Sequence, residues 1–275
     1  MRELIPFVSK NGFDCALSYI SPEAGRVSFG LGIQHFICSD SPHANAPCRL
    51  AVPLSAGVFS PFVIPKQRWA QYSAKRVMKY RALDPWAWLN GSKYQEQAKK
   101  QVVTGKVVIR LEEWFASYFK TGKGVSGTLT KLIRAIRAAG DFEILLLPRY
   151  EGQREWAAKN FGKDCRIPRT AVDAADEISR SDLLIGGGAT MTQEAALLGI
   201  PNISYFPSAR LDVFYNYYFP KGLSLGATNH SQLIEASVRI LKNIDKEKGN
   251  FSRRAQRETK RFEDPVRFIF ERLRL

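Results

Sequence analysis

The chain has 275 residues, 45% hydrophobic and 24% charged, the make-up of a globular protein with room for one large or two modest domains. No apolar run approaches the ~20 residues that span a bilayer, and no apolar core follows Met1 as it does in a secretory leader. The four cysteines and three histidines are too scattered for a disulfide framework or a zinc site, and the net charge of +15 favours anionic partners: nucleotides, nucleic acid or an anionic membrane face.

Residues 1–11 read as the end of a helix, and Phe13–Ser18 as a short strand. Ser21-Pro22-Glu23 starts a helix with a cap residue followed by proline. Ala24, Val27, Ser28 and Leu31 carry it to Gly32. Ile33–Cys38 is a second strand, followed by the loop Asp40-Ser41-Pro42-His43. Leu50–Ala56 reads as a short helix and Val58-Phe59 as a third strand. This alternation with short connections predicts an α/β domain. In the segment 61–103, Trp69, Tyr72, Tyr80, Trp86 and Trp88 interleave with Lys66, Arg68, Lys75, Arg76, Lys79 and Arg81. Such a mixture can stack bases or enter a membrane interface. Packing under solvated basic side chains is the preferred reading, since no nucleic-acid-binding motif is visible.

A second domain begins near Thr104. Val107–Arg110 reads as its first strand, Glu112–Lys123 as a loop, and Gly124–Ala139 as an amphipathic helix with Leu129, Leu132, Ile133 and Ile136 on one face. Phe142–Leu147 is a strand ended by Pro148-Arg149-Tyr150. Gly152–Asn160 is a helix, Cys165–Ile167 a strand and Asp173–Ser179 a helix. Then comes the unit that organises the chain: strand Asp182–Ile185, the triplet Gly186-Gly187-Gly188, helix Thr190–Leu198 with Met191, Ala195 and Leu198 on one face, and strand Ile203–Phe206. Strand, loop, helix and strand imply a right-handed crossover and a parallel sheet. Leu223–Leu225 is a last strand, Ser231–Leu241 a helix, and Lys246–Leu275 a basic helical tail broken at Asp264-Pro265.

The glycine triplet allows the backbone to approach a bulky anion, and the following helix directs free N–H groups into the loop. Glu194, one turn into that helix, is placed to accept two hydroxyls of a ribose. The competing reading is a tight turn with a solvated glutamate. Arg110 and Arg149 end parallel strands, where open sheets bind ligands, and their forks match phosphate oxygens. Arg110 could equally be a surface arginine, while Arg149 is favoured as a site residue. Asp40 and His43 share a loop after a strand end. His43 can serve as a general base oriented by Asp40, or Asp40 can simply form an Asx turn.

The segment GGGATMTQEAALLGIP, residues 186–201, resembles the donor site of GT-B enzymes such as the peptidoglycan GlcNAc transferase and UDP-GlcNAc 2-epimerases. There a glycine loop holds the diphosphate and a glutamate the ribose. Gly188, Ala189 and Glu194 sit where the transferase has its Gly-Ala and glutamate, while the epimerase Ser-Gly-Gly is not reproduced. The closer resemblance is to an uncharacterised archaeal family of GT-B-like proteins, through SPEAGRVSFGLG (21–32), SDSPHA (39–44), LLLPRYEGQRE (145–155) and the glycine segment. It implies two Rossmann-like domains: residues 1–103 as a partial acceptor-side domain plus linker, 104–244 as the nucleotide-sugar domain, and 245–275 as helices returning to the first domain. Family members begin with a further strand and loop, so the first domain is expected to be shortened and to lean on the second or on a partner.

The resemblance implies a glycosyltransferase or sugar-nucleotide 2-epimerase with a UDP-linked sugar as substrate, no separate cofactor and no metal. Arg110, Arg149, Gly186, Gly187, Gly188, Ala189, Thr190, Met191 and Glu194 are expected at the donor, and Asp40 and His43 at the chemistry. The acceptor stays open. Peripheral contact of a cytoplasmic protein with an anionic membrane is a further expectation, ranked above nucleic acid. The alternative is a non-catalytic nucleotide-binding or assembly relative that has lost part of the acceptor domain.

Overall fold

A computed structural model describes residues 2–111, 124–186, 189–205 and 214–274. The expected loop at 112–123 and the glycines 187 and 188 lie outside the described residues. The chain divides into two compact units, Met1–Ala87 with Arg261–Leu275, and Trp88–Lys260. Each is α/β with a wholly parallel sheet. No helix among the described residues is long and apolar enough to cross a membrane.

In the first unit β1 (Cys15–Ser18), β2 (Gln34–Cys38), β3 (Gly57–Pro61) and β4 (Val77–Tyr80) are laid down in sequence order. The helix Pro22–Gly30 starts as expected: the Ser21 side chain accepts from the Ala24 N–H, and proline fills the first position. Consecutive right-handed crossovers put the connecting helices on one face of such a sheet. Ile37, Val58, Ala51, Val52 and Trp69 form a buried cluster with them. Phe59 alternates with Val58 and so points the other way. Its ring meets Phe268 edge-on at 6.4 Å, and Tyr80 meets Phe268 at 6.3 Å. The last helix, Pro265–Leu273, thus supplies the second covering layer that consecutive strand order leaves open.

Several sequence expectations change here. The strand β4 was not expected; its VMKY sequence lies in a basic run, yet Met78 and Tyr80 are buried. The helix expected at Leu50–Ala56 is Asn45–Ala51 followed by a 3-10 turn at Val52–Leu54. Pro47 is tolerated because it lies in the first turn, where its missing N–H costs nothing. Residues 88–103, expected as linker, belong to the second unit. There the helix Lys93–Lys99 packs on helices Ala174–Ser179 and Ala189–Leu198. Of the tail helices expected to return to the first domain, 245–275, only Arg261–Leu275 belong to the first unit. Its helix Ile244–Thr259 stays with the second unit, burying Phe251 and Ala255. Gly199, at φ +72°, lies so close to this helix that a Cβ would stand 2.6 Å from the Cα of Ser252.

The second unit orders its strands β6-β5-β7-β8-β9, where β5 is Lys106–Arg110, β6 Glu143–Leu147, β7 Leu183–Gly186, β8 Asn202–Tyr205 and β9 Leu225–Ala227. The chain first adds β6 on one side of β5, then returns to add β7 on the other. That reversal is a topological switch point, the place where open parallel sheets bind ligands. Leu129, Leu132, Ile133 and Ile136 of the amphipathic helix Gly124–Ala139 are all buried in this core, as their spacing predicts. The expected strand Cys165–Ile167 is reduced to one bridge, Arg166 to Leu145. The expected Leu223–Leu225 strand is shifted to β9. Buried Asp182 fixes the entry to β5 by accepting the backbone N–H groups of Thr104 and Gly105, and it pairs with buried Lys248 at 2.7 Å.

Candidate functional site

The carboxyl ends of three neighbouring strands define the site. Arg110 closes β5 and is in register with Leu147 on β6 and Gly186 on β7. Pro148 and Arg149 follow β6, and the helix Ala189–Leu198 follows β7. A cavity of about 520 Å³ opens there, lined by Arg110, Arg149, Thr190, Met191 and Glu194 among others. Five residues selected from the sequence therefore meet at one cavity. Ala189 opens the helix; Gly187 and Gly188 are not among the described residues. Gly186 is buried as the last residue of β7 and does not line this cavity; its φ lies outside the left-handed region. A Cβ at Gly186 would lie 3.4 Å from the Arg110 Cβ, so a side chain longer than a methyl would press on Arg110.

The cavity wall is rich in cations. Arg110, Arg149, Arg154 and Arg169 face two glutamates, Glu151 and Glu194. Arg110 is anchored by donating from Nη1 to the Pro148 carbonyl at 2.6 Å. The loop carrying Arg149 is held by its own N–H, which donates to the buried Gln153 side chain at 2.7 Å. Arg154, on the helix Glu151–Phe161, donates to Glu151 and to the Arg169 carbonyl, tying that helix to the loop that carries Arg169. Such a wall suits a multiply charged anion, because guanidinium forks pair with phosphate oxygens in fixed geometry.

Glu194 is not a solvated helix residue: it is 7% exposed. The Trp88 indole Nε1–H donates to its Oε1 at 2.9 Å. Burial pushes the Glu194 carboxyl above its ordinary range, the Trp88 hydrogen bond opposes this, and Asp173 adds to the rise. Trp88 is the one donor to this carboxylate among the described residues, so Oε2 keeps acceptor capacity for ligand hydroxyls. Met191 lies one turn before Glu194 and shares its cavity. It does not share the fully buried face of Ala195 and Leu198, as the sequence periodicity had suggested.

In the first unit Tyr19 follows β1, Asp40 follows β2, and Asp84 follows β4. The Tyr19 hydroxyl is 2.8 Å from Asp40 Oδ1 and 2.9 Å from Asp84 Oδ2. Ser41 also donates to Asp40 Oδ1, at 2.7 Å, and Tyr80 donates to Asp84 Oδ1. One phenolic hydrogen cannot serve two ionised acceptors. Burial, and then Asp40, push the Asp84 carboxyl up to about 7. A protonated Asp84 can donate to Tyr19, which then donates to Asp40, and the chain is satisfied. His43 is exposed on the same loop, while Asp40 is held by Tyr19 and Ser41. The buried histidine is His35, whose Nε2 is 2.9 Å from Ser18 Oγ.

The model of the family described as "Protein of unknown function (DUF354)" matches residues 1–274. The chain belongs to this family. A curated relative, Uncharacterized protein MJ0665 of Methanocaldococcus jannaschii, is 25% identical over 266 residues, covering 94% of this chain and 72% of its own length. Among solved structures, the UDP-GlcNAc 2-epimerase of M. jannaschii superposes with a TM-score of 0.60 at 15% identity, covering 88% of this chain and 74% of the epimerase. Anabaena Alr3699/HepE in complex with UDP gives 0.60 at 14%, covering 99% and 81%. The spinosyn rhamnosyltransferase SpnG with thymidine diphosphate gives 0.60 at 11%, covering 99% and 75%. The DUF354 chain thus has the GT-B architecture of epimerases and glycosyltransferases.

The structure adds cavity residues to the DUF354 chain that the sequence did not single out. Arg154, Arg169 and Thr170 line it beside Tyr150. The carboxyl-end rule points to Pro168–Thr170, because they follow the bridge at Arg166 next to β6. Trp88 was read only as packing in the aromatic segment and Asp84 was not singled out; their roles arise from contacts distant in sequence.

Proposed function

We propose that this chain binds a nucleoside-diphosphate sugar in the cavity of the second unit and acts on the sugar–diphosphate bond. One observation carries the reading: Arg110, Arg149 and Glu194 converge on a single cavity at the switch point of a parallel sheet. The arginines would take the diphosphate, and Glu194 would accept ribose hydroxyls. UDP and UDP-glucose are bound in the HepE structures and thymidine diphosphate in that of SpnG, which supports a ligand of this class.

For transfer, an acceptor oxygen attacks the anomeric carbon, the bond from that carbon to the diphosphate breaks, and the hydroxyl proton passes to a base. Fixed guanidinium groups stabilise the charge that develops on the leaving diphosphate. Asp40 and His43 are the acid–base groups of this proposal. Epimerisation at the sugar is the sister reaction, and the nucleotide sugar is substrate in either case.

Calorimetric titration of the full chain with UDP, UDP-GlcNAc, UDP-glucose and their GDP and TDP counterparts tests the binding step. Saturable binding of at least one is expected, weakened roughly tenfold by Glu194→Ala, the worth of one hydrogen bond to a charged group. Folded protein that gives no response to any of them would sink the reading. Binding without turnover across an acceptor panel would favour the non-catalytic alternative.

A further inference from the structure

The aromatic segment 61–103 holds one tryptophan that differs from the others. Trp69 is fully buried and Trp86 nearly so, whereas Trp88 is 44% exposed and spends its N–H on Glu194. The Trp88 ring is thus only partly packed. Its single polar atom is used to hold a buried carboxylate that lines a cavity.

We propose that Trp88 is a positioning residue of the donor site: its indole N–H pins Glu194 Oε1 and presents Oε2 to the vicinal hydroxyls of a ribonucleoside diphosphate. The inference rests on the donor-site reading above and narrows its ligand to ribonucleotides over 2′-deoxyribonucleotides. Two carboxylate oxygens free to rotate would sample many orientations. One tethered oxygen leaves the other in a single direction, so the hydroxyls are met without further ordering cost. A site built to accept two hydroxyls discriminates against an analogue that lacks one, because buried acceptor capacity is then left unused.

The electrostatics give this role a signature. The indole hydrogen bond favours the ionised form of Glu194, against burial and the charge of Asp173. Tyr94 donates to Asp173 at 2.7 Å from the neighbouring helix, with Lys93 beside it at 3.7 Å. Arg110, Arg149 and Arg169, with Arg154 paired to Glu151, make up the charged wall across the cavity. Only the Trp88 contact changes when the indole N–H is removed. Glu194 in Trp88→Phe then takes up its proton at higher pH than in the native chain.

The test is calorimetry of the full chain with UDP, GDP and ADP, each beside its 2′-deoxy counterpart, at a series of pH values from acid to neutral. The native chain is expected to prefer the ribonucleotide by roughly tenfold at the upper end, the size of one charged hydrogen bond, with the preference fading as pH falls. Trp88→Phe is expected to keep its thermal midpoint, lose most of that preference, and lose it at higher pH. Nucleotide binding with an unchanged ratio and pH profile in Trp88→Phe overturns the inference alone. No nucleotide binding by the native chain overturns the donor-site reading and this inference with it. If Trp88→Phe does not fold, indole N–H resonances of the native chain's five tryptophans decide: one should titrate with a carboxyl, and that titration should vanish in Glu194→Gln. No such resonance overturns the inference.

Discussion

Arg110 and Gly186 are register partners on adjacent parallel strands, and a Cβ on Gly186 would stand 3.4 Å from that of Arg110. That distance is ordinary contact for one methyl and leaves no room for more. Gly186→Ala is expected to change stability by less than about 0.5 kcal/mol and to leave nucleotide affinity near native. Gly186→Leu should cost about 1–3 kcal/mol through overpacking and displace Arg110. Thermal midpoints and titrations with UDP check both. A leucine variant that binds like the native chain would remove Arg110 from the ligand set.

Arg149 stands on a loop held by Gln153 and lines the cavity. If it meets a diphosphate, Arg149→Ala should lower nucleotide affinity by about 1.5–3 kcal/mol, the range for hydrogen bonds to charged groups. The salt dependence of binding should also become shallower, since one cation fewer is screened. Titrations at two ionic strengths test this, and an unchanged salt response would place Arg149 outside the contact.

Asp84 holds its proton up to about 7 when folded, against 3.8 as an isolated carboxyl. The native state therefore binds the extra proton more tightly. The stability this contributes is complete below pH 3.8 and is lost as pH rises through about 7. The gap corresponds to stability on the order of 4 kcal/mol. Asp84→Asn removes the ionisation and lets an amide N–H donate to Tyr19. Its urea midpoint should fall less than the native one between about pH 5 and pH 8, and should exceed it at the upper end. Parallel profiles would show that the shared-proton chain through Tyr19 does not form.

Lys248 donates to Asp182, to the Val102 carbonyl and to the Ser181 carbonyl, and both charges are buried. Lys248→Met should destabilise the second unit by about 3–5 kcal/mol, because an uncompensated carboxylate is left in the interior. Chemical denaturation reads this out. A loss below about 1 kcal/mol, the scale of an exposed pair, would contradict the burial argument.

Local physics made much of the architecture readable from the sequence. The cap at Ser21-Pro22, the helical spacing of Leu129, Leu132, Ile133 and Ile136, and the strand–glycine–helix–strand unit are set by neighbours within a few residues. The same holds for Arg110, Arg149 and Glu194, since strand ends and the first turns after them are recognisable without tertiary contacts. The strand Val77–Tyr80 escaped because its polar neighbours hide an alternation that only packing enforces.

Charge, α/β alternation and the residues at the strand ends were thus decided by the sequence alone. Tertiary structure decided what those residues do: that Glu194 is buried and held by Trp88, that Tyr19 sits between Asp40 and Asp84, and that Phe268 closes the open face of the first sheet. The physical reason is that burial and hydrogen-bond partnership belong to pairs of distant residues. Their free energies, and the protonation states they impose, do not exist until the chain has brought them together.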